Sequence, residues 1–128
     1  MGIKSYDNGK NWETEIINYY YDKGYFVLKI PTLINGTVFD ILAIRNSKCL
    51  AIECKHVTGK KLMYAGCGLK KKTDEIEHFI KTSNTNLYIY IKSDELDGVY
   101  WTTWVRSSQI LKEKGYLDLE KDCLKANI

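Results

Sequence analysis

The sequence predicts an α/β protein: a mixed β-sheet of about five strands flanked by helices, in the order α-β-β-β-α-β-β-α. Three observations lead there. An amphipathic helical period opens the chain, three β-rich runs follow in succession, and a second helical period separates them from two more β-rich runs. The 128 residues are the length of one domain. Its core is predicted over about 9–112, with 1–8 as an arm and 116–128 as a tail.

The elements follow in order. Over 11–23, Trp12, Ile16, Ile17 and Tyr20 recur at helical spacing, and Gly24 supplies a left-handed C-cap. A strand over 25–30 stops at Pro31, and Asn35-Gly36 is a turn signal. Runs 38–44 and 49–55 are β-rich, and the Arg45-Asn46-Ser47-Lys48 stretch between them reads as a hairpin turn. Gly59, Gly66, Gly68 and many lysines make 56–71 a loop. A helix over 73–82 begins with Thr73 as N-cap and carries Asp74, Glu75 and Glu77 in its first turn. Its Ile76, Phe79 and Ile80 share one face. Strands over 87–92 and 99–104 follow, then a short helix capped by Ser107 or Ser108 and closed by Gly115. The helix between the third and fourth strands demands a crossover, which makes the sheet mixed.

Charged residues at 27% and hydrophobic ones at 45% exclude a disordered chain. No apolar run reaches the roughly 18 residues of a membrane span, and MGIKSYDNGK has no apolar segment of a secretory signal. Cys49, Cys54, Cys67 and Cys123 form no C-x-x-C pair, so they read as thiols in a reducing cytoplasm, or a host cytoplasm for a phage-encoded chain. The net charge is only +3, but it is unevenly placed. From Arg45 to Lys72 there are eight basic residues against one acid, Glu53, a local +7 that leaves −4 on the rest. A charge gathered in this way suits a polyanion.

Carboxylates occupy positions where a buried sheet does not accept them unpaired. Asp40 interrupts Val38-Phe39-Asp40-Ile41-Leu42-Ala43-Ile44, and Glu53 and Lys55 interrupt Ala51-Ile52-Glu53-Cys54-Lys55. If Asn46-Ser47 is the turn, Arg45 faces Lys48, and five residues back along each strand Asp40 faces Glu53. Their Cβ atoms then lie ~4.5–5.5 Å apart and the charges repel. A divalent cation between them turns repulsion into binding, and hard oxygen ligands suit Mg²⁺, with Mn²⁺ as substitute. The main-chain carbonyl of Cys54 is a further candidate ligand, and Lys55 points to the same face as Glu53. Glu13 is a third acid, on the helix face shared with Ile16, Ile17 and Tyr20. Taken singly, each has a plainer reading: a helix-start acid, an edge-strand acid, an exposed ion pair. Their order and facing favour a metal site.

This set resembles the PD-(D/E)xK nuclease superfamily, and within it the small Holliday-junction resolvases of archaeal and phage type. The resemblance runs through Gly9-Lys10-Asn11-Trp12-Glu13, Gly24-Tyr25-Phe26-Val27-Leu28-Lys29-Ile30-Pro31 and the two acid-bearing strands, over about 9–104. The family's Pro before the first motif acid is Phe39 here. Where the family often carries Gln at the start of the next helix, the nearest residue is Glu75. The resemblance implies a restriction-endonuclease-like fold and a metal-dependent, structure-selective DNA endonuclease. Glu13, Asp40, Glu53 and Lys55 are then catalytic, with Asp40, Glu53, Cys54 and Glu13 around the metal. Lys10, Lys29, Lys60, Lys61, Lys70, Lys71 and Lys72 would bind DNA phosphates. A four-way junction cut on two strands implies a homodimer. The alternative is a non-catalytic nuclease fold that binds DNA or a protein partner, as in phage counter-defence.

Overall fold

The computed structural model describes residues 8–31 and 38–128, with side chains from residue 12 onward. The expected Asn35-Gly36 turn, most of the N-terminal arm and the Lys10 side chain lie outside the described residues. Helix α1 spans Asn8–Asp22. Gly24, at φ +87°, ends it as expected, and Tyr25 N–H donates back to the Tyr20 carbonyl at 3.1 Å.

Strands β1 (Phe26–Lys29), β2 (Ile41–Arg45) and β3 (Lys48–Val57) form an antiparallel meander. The β2–β3 turn has Asn46 at φ 48° and Ser47 at φ 68°. Two successive left-handed residues give the twist a two-residue hairpin needs. They set the predicted register, Arg45 opposite Lys48 and Ile41 opposite Ile52. Helix α2 (Thr73–Ser83) then carries the chain across to β5 (Leu87–Ser93), which pairs parallel with β3. Strand β6 (Gly98–Thr103) returns antiparallel, and α3 (Trp104–Lys114) follows.

Several expectations are corrected. Strand β2 starts at Ile41, so Asp40 stands just before it rather than inside it. The 56–71 segment is not all loop. Strand β3 extends to Val57, and β4 (Lys61–Met63) pairs with β7 (Tyr116–Asp118) as a small second sheet. Thr73 does not cap α2, because its hydroxyl donates to the Leu69 carbonyl at 3.1 Å and meets the Tyr64 hydroxyl. A 3-10 turn, Lys70–Lys72, leads into the helix instead. Helix α3 starts earlier than expected, at Trp104, with the Thr103 side chain accepting from Arg106 N–H. The segment 116–128 is built into the fold through β7, α4 (Leu119–Asp122) and β8 (Leu124–Ala126). The main sheet therefore has six strands, in the order β1-β2-β3-β5-β6-β8.

Two apolar layers sandwich this sheet. Trp12, Ile16, Ile17 and Tyr20 of α1 pack on Ile41, Ala43, Leu50 and Ile52. On the opposite face Ala51, Leu87, Ile89 and Ile91 meet Ile76 of α2, Trp104 and Leu111 of α3, and Leu117 and Leu119. Strand alternation assigns the odd residues of β3, Ala51 and then Glu53 and Lys55, to the α2 face.

Candidate active site

The site lies at the start of β2, where β3 runs on past it. Beyond the Ile41–Ile52 pair, β3 continues for five residues without β2 beside it. Asp40 is held at this fork by its backbone. Its N–H donates to the Ile52 carbonyl (2.9 Å), and its carbonyl accepts from Ile30 N–H (2.8 Å). Its side chain then fills the gap left in the ladder: Oδ2 accepts the Cys54 N–H at 2.9 Å. A strand residue's N–H and C=O leave on the same side, so the Cys54 carbonyl also faces the Asp40 side of β3.

Glu53, 1% exposed, is the most buried acid among the described residues. Two ammonium groups meet its Oε2, Lys55 Nζ at 3.1 Å and Lys72 Nζ at 2.9 Å. Lys55 is further anchored by donating to the Cys67 main-chain carbonyl at 2.7 Å. Glu53 Oε1 is buried with no hydrogen-bond partner. A buried carboxylate tolerates desolvation only through such cations, and an orphaned oxygen beside them is an acceptor awaiting a ligand.

Burial, and then the neighbouring Glu53 charge, push the Asp40 carboxyl up from 3.8 to about 7. The Cys54 N–H opposes that rise, while the close approach of the Glu53 side chain and the charge of Glu13 add to it. Burial alone would lower the Lys55 ammonium, but the Glu53 charge and hydrogen bond outweigh it and hold the lysine above its ordinary value. The Cys54 thiol is pushed well up by burial and then by Asp40, so it is a neutral apolar filler and not a thiolate.

The structure brings together Asp40, Glu53, Cys54 and Lys55, and sets Glu13 slightly apart. Helix α1 packs on the sheet face opposite that of Glu53. Glu13 pairs there with Lys29 at 3.5 Å, and its charge reaches Asp40. Among the described residues no three His, Cys, Asp or Glu side chains converge as a metal cluster. The donor set nonetheless fits a hard cation: two adjacent carboxylates, one with an orphaned oxygen, and a main-chain carbonyl on the same side. Of the remaining lysines, Lys70 and Lys71 are exposed, Lys60 pairs with Glu95 at 3.6 Å, and Lys61 lies 4.5 Å over the Tyr116 ring. Two elements escaped the sequence: Lys72 as a partner of Glu53, and the Cys67 carbonyl as the anchor of Lys55. The first had only a weak signal, a basic run ending at a helix start, and the second had none.

The sequence profile described as "Archaeal holliday junction resolvase (hjc)" matches residues 4–119. The chain belongs to this family. An Hjc-family resolvase is a structure-selective DNA endonuclease of recombination and repair, and the family implies a metal-dependent reaction on Holliday-junction DNA. The fold agrees. The solved Hjc of Archaeoglobus fulgidus, described as a Holliday junction resolvase from an archaeal hyperthermophile, superposes with a TM-score of 0.66. It is 16% identical, and the match covers 91% of this chain and 95% of that one. No match is found among curated proteins. The six-stranded mixed sheet is thus the restriction-endonuclease-like Hjc fold. Among the described residues, no helix is long and apolar enough to cross a membrane.

Proposed function

We infer that Asp40, Glu53 and the Cys54 carbonyl hold Mg²⁺, with Mn²⁺ as a substitute, for hydrolysis of junction phosphodiesters. The observation that carries this reading is the buried Glu53 oxygen left without a partner beside an Asp40 whose carboxyl is raised to about 7. A cation there supplies Lewis acidity for the attacking water and for the charge that builds on the scissile phosphate. Lys55, fixed by the Cys67 carbonyl, points its ammonium at the same place and steadies that charge. Glu13 lends negative charge to Asp40 and pairs with Lys29. Glu13, Asp40, Glu53 and Lys55 are all present, which argues against a decayed, non-catalytic binding module.

Lys70 and Lys71, with Lys29, Lys60 and Lys61, form the phosphate-binding surface, which positions DNA without reading sequence, and Lys10 is a further phosphate contact on the sequence reading alone. A symmetric homodimer would place two sites on opposed strands. Supporting it, Phe26, Leu28 and Ile44 stand exposed on the β1–β2 sheet face that α1 does not cover, with Phe26 and Ile44 directly paired. Such an apolar cluster suits a self-complementary contact. The chain is a single domain acting in the cytoplasm, its own or a phage host's. The test is incubation with labelled four-way junction, duplex and single strand, each with Mg²⁺ or EDTA. Paired incisions in the junction alone, only with Mg²⁺, are expected. Cutting in EDTA would refute the metal role.

A further inference from the structure

Lys72 is the one residue of the basic run that turns inward. Its neighbours Lys70 and Lys71 are exposed on the 3-10 turn before α2, whereas the Lys72 ammonium reaches Glu53 Oε2 at 2.9 Å. Lys55 already meets the same oxygen at 3.1 Å. Two ammonium groups on one carboxylate oxygen, with the other oxygen unpartnered, is a surplus of cation on one side of Glu53. The two lysines are tied differently. Lys55 comes from the same strand as Glu53 and is pinned by the Cys67 carbonyl. Lys72 comes from the start of α2 and keeps a quarter of its side chain in solvent.

We propose that Lys72 is a resident counter-ion of the metal site, a positioning residue that a divalent cation displaces from Glu53 and that then turns to the DNA backbone. This rests on the assignment of Asp40 and Glu53 as metal ligands. Before metal arrives, the Lys72 charge offsets the repulsion between the two carboxylates and keeps Glu53 in place. A divalent ion at the unpartnered Oε1 brings more charge to the same carboxylate, and the charge of that ion then repels the ammonium on Oε2. Rotation of its flexible stem would carry Lys72 to Lys70 and Lys71 on the outer face. Metal binding therefore adds one cation to the phosphate surface. By reciprocity, DNA that takes up Lys72 raises the affinity for metal by the same factor. The coupling is a property of this ion pair. A lysine that only bound phosphate would show none of it.

The experiment uses the full chain and three proteins: wild type, Lys72→Met and Lys72→Arg. Mn²⁺ alone is titrated by calorimetry, without DNA. Lys72→Met removes the competitor, so it should bind Mn²⁺ about fivefold to tenfold tighter than wild type. In EDTA it should melt below wild type, because Glu53 loses one of its two cations. Lys72→Arg restores the charge and should return both values towards wild type, which separates the charge from general damage. Junction affinity is then measured with and without Ca²⁺. Wild type should gain severalfold from the ion, and Lys72→Met should gain distinctly less. Unchanged or weaker Mn²⁺ binding by Lys72→Met, beside normal binding by wild type, overturns the counter-ion role and leaves the metal ligands standing. Absence of Mn²⁺ binding by wild type overturns the ligand assignment itself.

Discussion

Asp40→Asn isolates the repulsion at the centre of the site. The Asp40 carboxyl is raised from 3.8 to about 7, first by burial and then by Glu53. At about 1.36 kcal/mol per pH unit, this is on the order of 4 kcal/mol by which ionised Asp40 opposes folding. The sign follows from proton counts. Between about pH 4 and pH 7 the folded chain keeps this proton and the unfolded chain has released it. Stability therefore falls as pH rises through that window, and the whole penalty is present above it. Asparagine copies the protonated acid. Its amide oxygen can accept the Cys54 N–H, as Oδ2 does at 2.9 Å, and its amide N–H can donate to Glu53. Metal-free Asp40→Asn should thus melt above wild type at pH 8 by on the order of 10 °C, at about 3 °C per kcal/mol. The gap should shrink to less than half at about pH 5, where most folded and unfolded Asp40 differ by a smaller free energy. Excess Mn²⁺ should raise wild type by mass action and leave the variant unmoved. Scanning calorimetry at the two pH values, in EDTA and in Mn²⁺, reads all four quantities. A variant that melts below wild type at pH 8, with neither protein responding to metal, would show that Asp40 is a structural ion-pair acid and would refute the reasoning.

Three further outcomes are expected. If Lys55 acts as proposed, Lys55→Ala should lose cleavage by at least about a hundredfold in single-turnover assays while junction affinity changes little, because one lysine is a minor phosphate contact. Wild-type cleavage by this variant would remove Lys55 from the mechanism. Replacing Lys70 and Lys71 together by Ala should weaken binding to every DNA sequence alike and flatten the log–log salt dependence by about 2. An unchanged slope in a filter-binding titration would make them plain solvated residues. Phe26→Asp should convert a dimer to a monomer by sedimentation, with the melting temperature of the monomer nearly unaltered, since Phe26 is already exposed to solvent. A monomeric wild type would place the two-strand cutting in some other arrangement.

The sequence by itself determined what is local. The alternation of the hairpin and a two-residue turn were sufficient to set the register from Arg45–Lys48 to Ile41–Ile52, because a turn with a defined twist leaves a hairpin one register, and Asp40 leaves the ladder one residue before it would face Glu53. Strand parity then placed Lys55 beside Glu53, and helical spacing placed Glu13 on the packed face of α1. The ordered motif was legible for the same reason: each of its parts is read within a few residues. Tertiary structure decided everything that joins distant segments. The pairing of β4 with β7 rests on three residues from each, too few to carry a pattern. Strand β8, equally short, acquires its place only because β6 offers it an edge. Residue parity could not reveal that α1 and Glu53 lie on opposite faces of the sheet, so Glu13 pairs with Lys29 and reaches Asp40 through its charge. Nor could a run of three lysines show which one turns inward. Lys72 reaches Glu53 because the 3-10 turn rotates it away from Lys70 and Lys71, and because a buried carboxylate attracts the nearest ammonium once water is excluded.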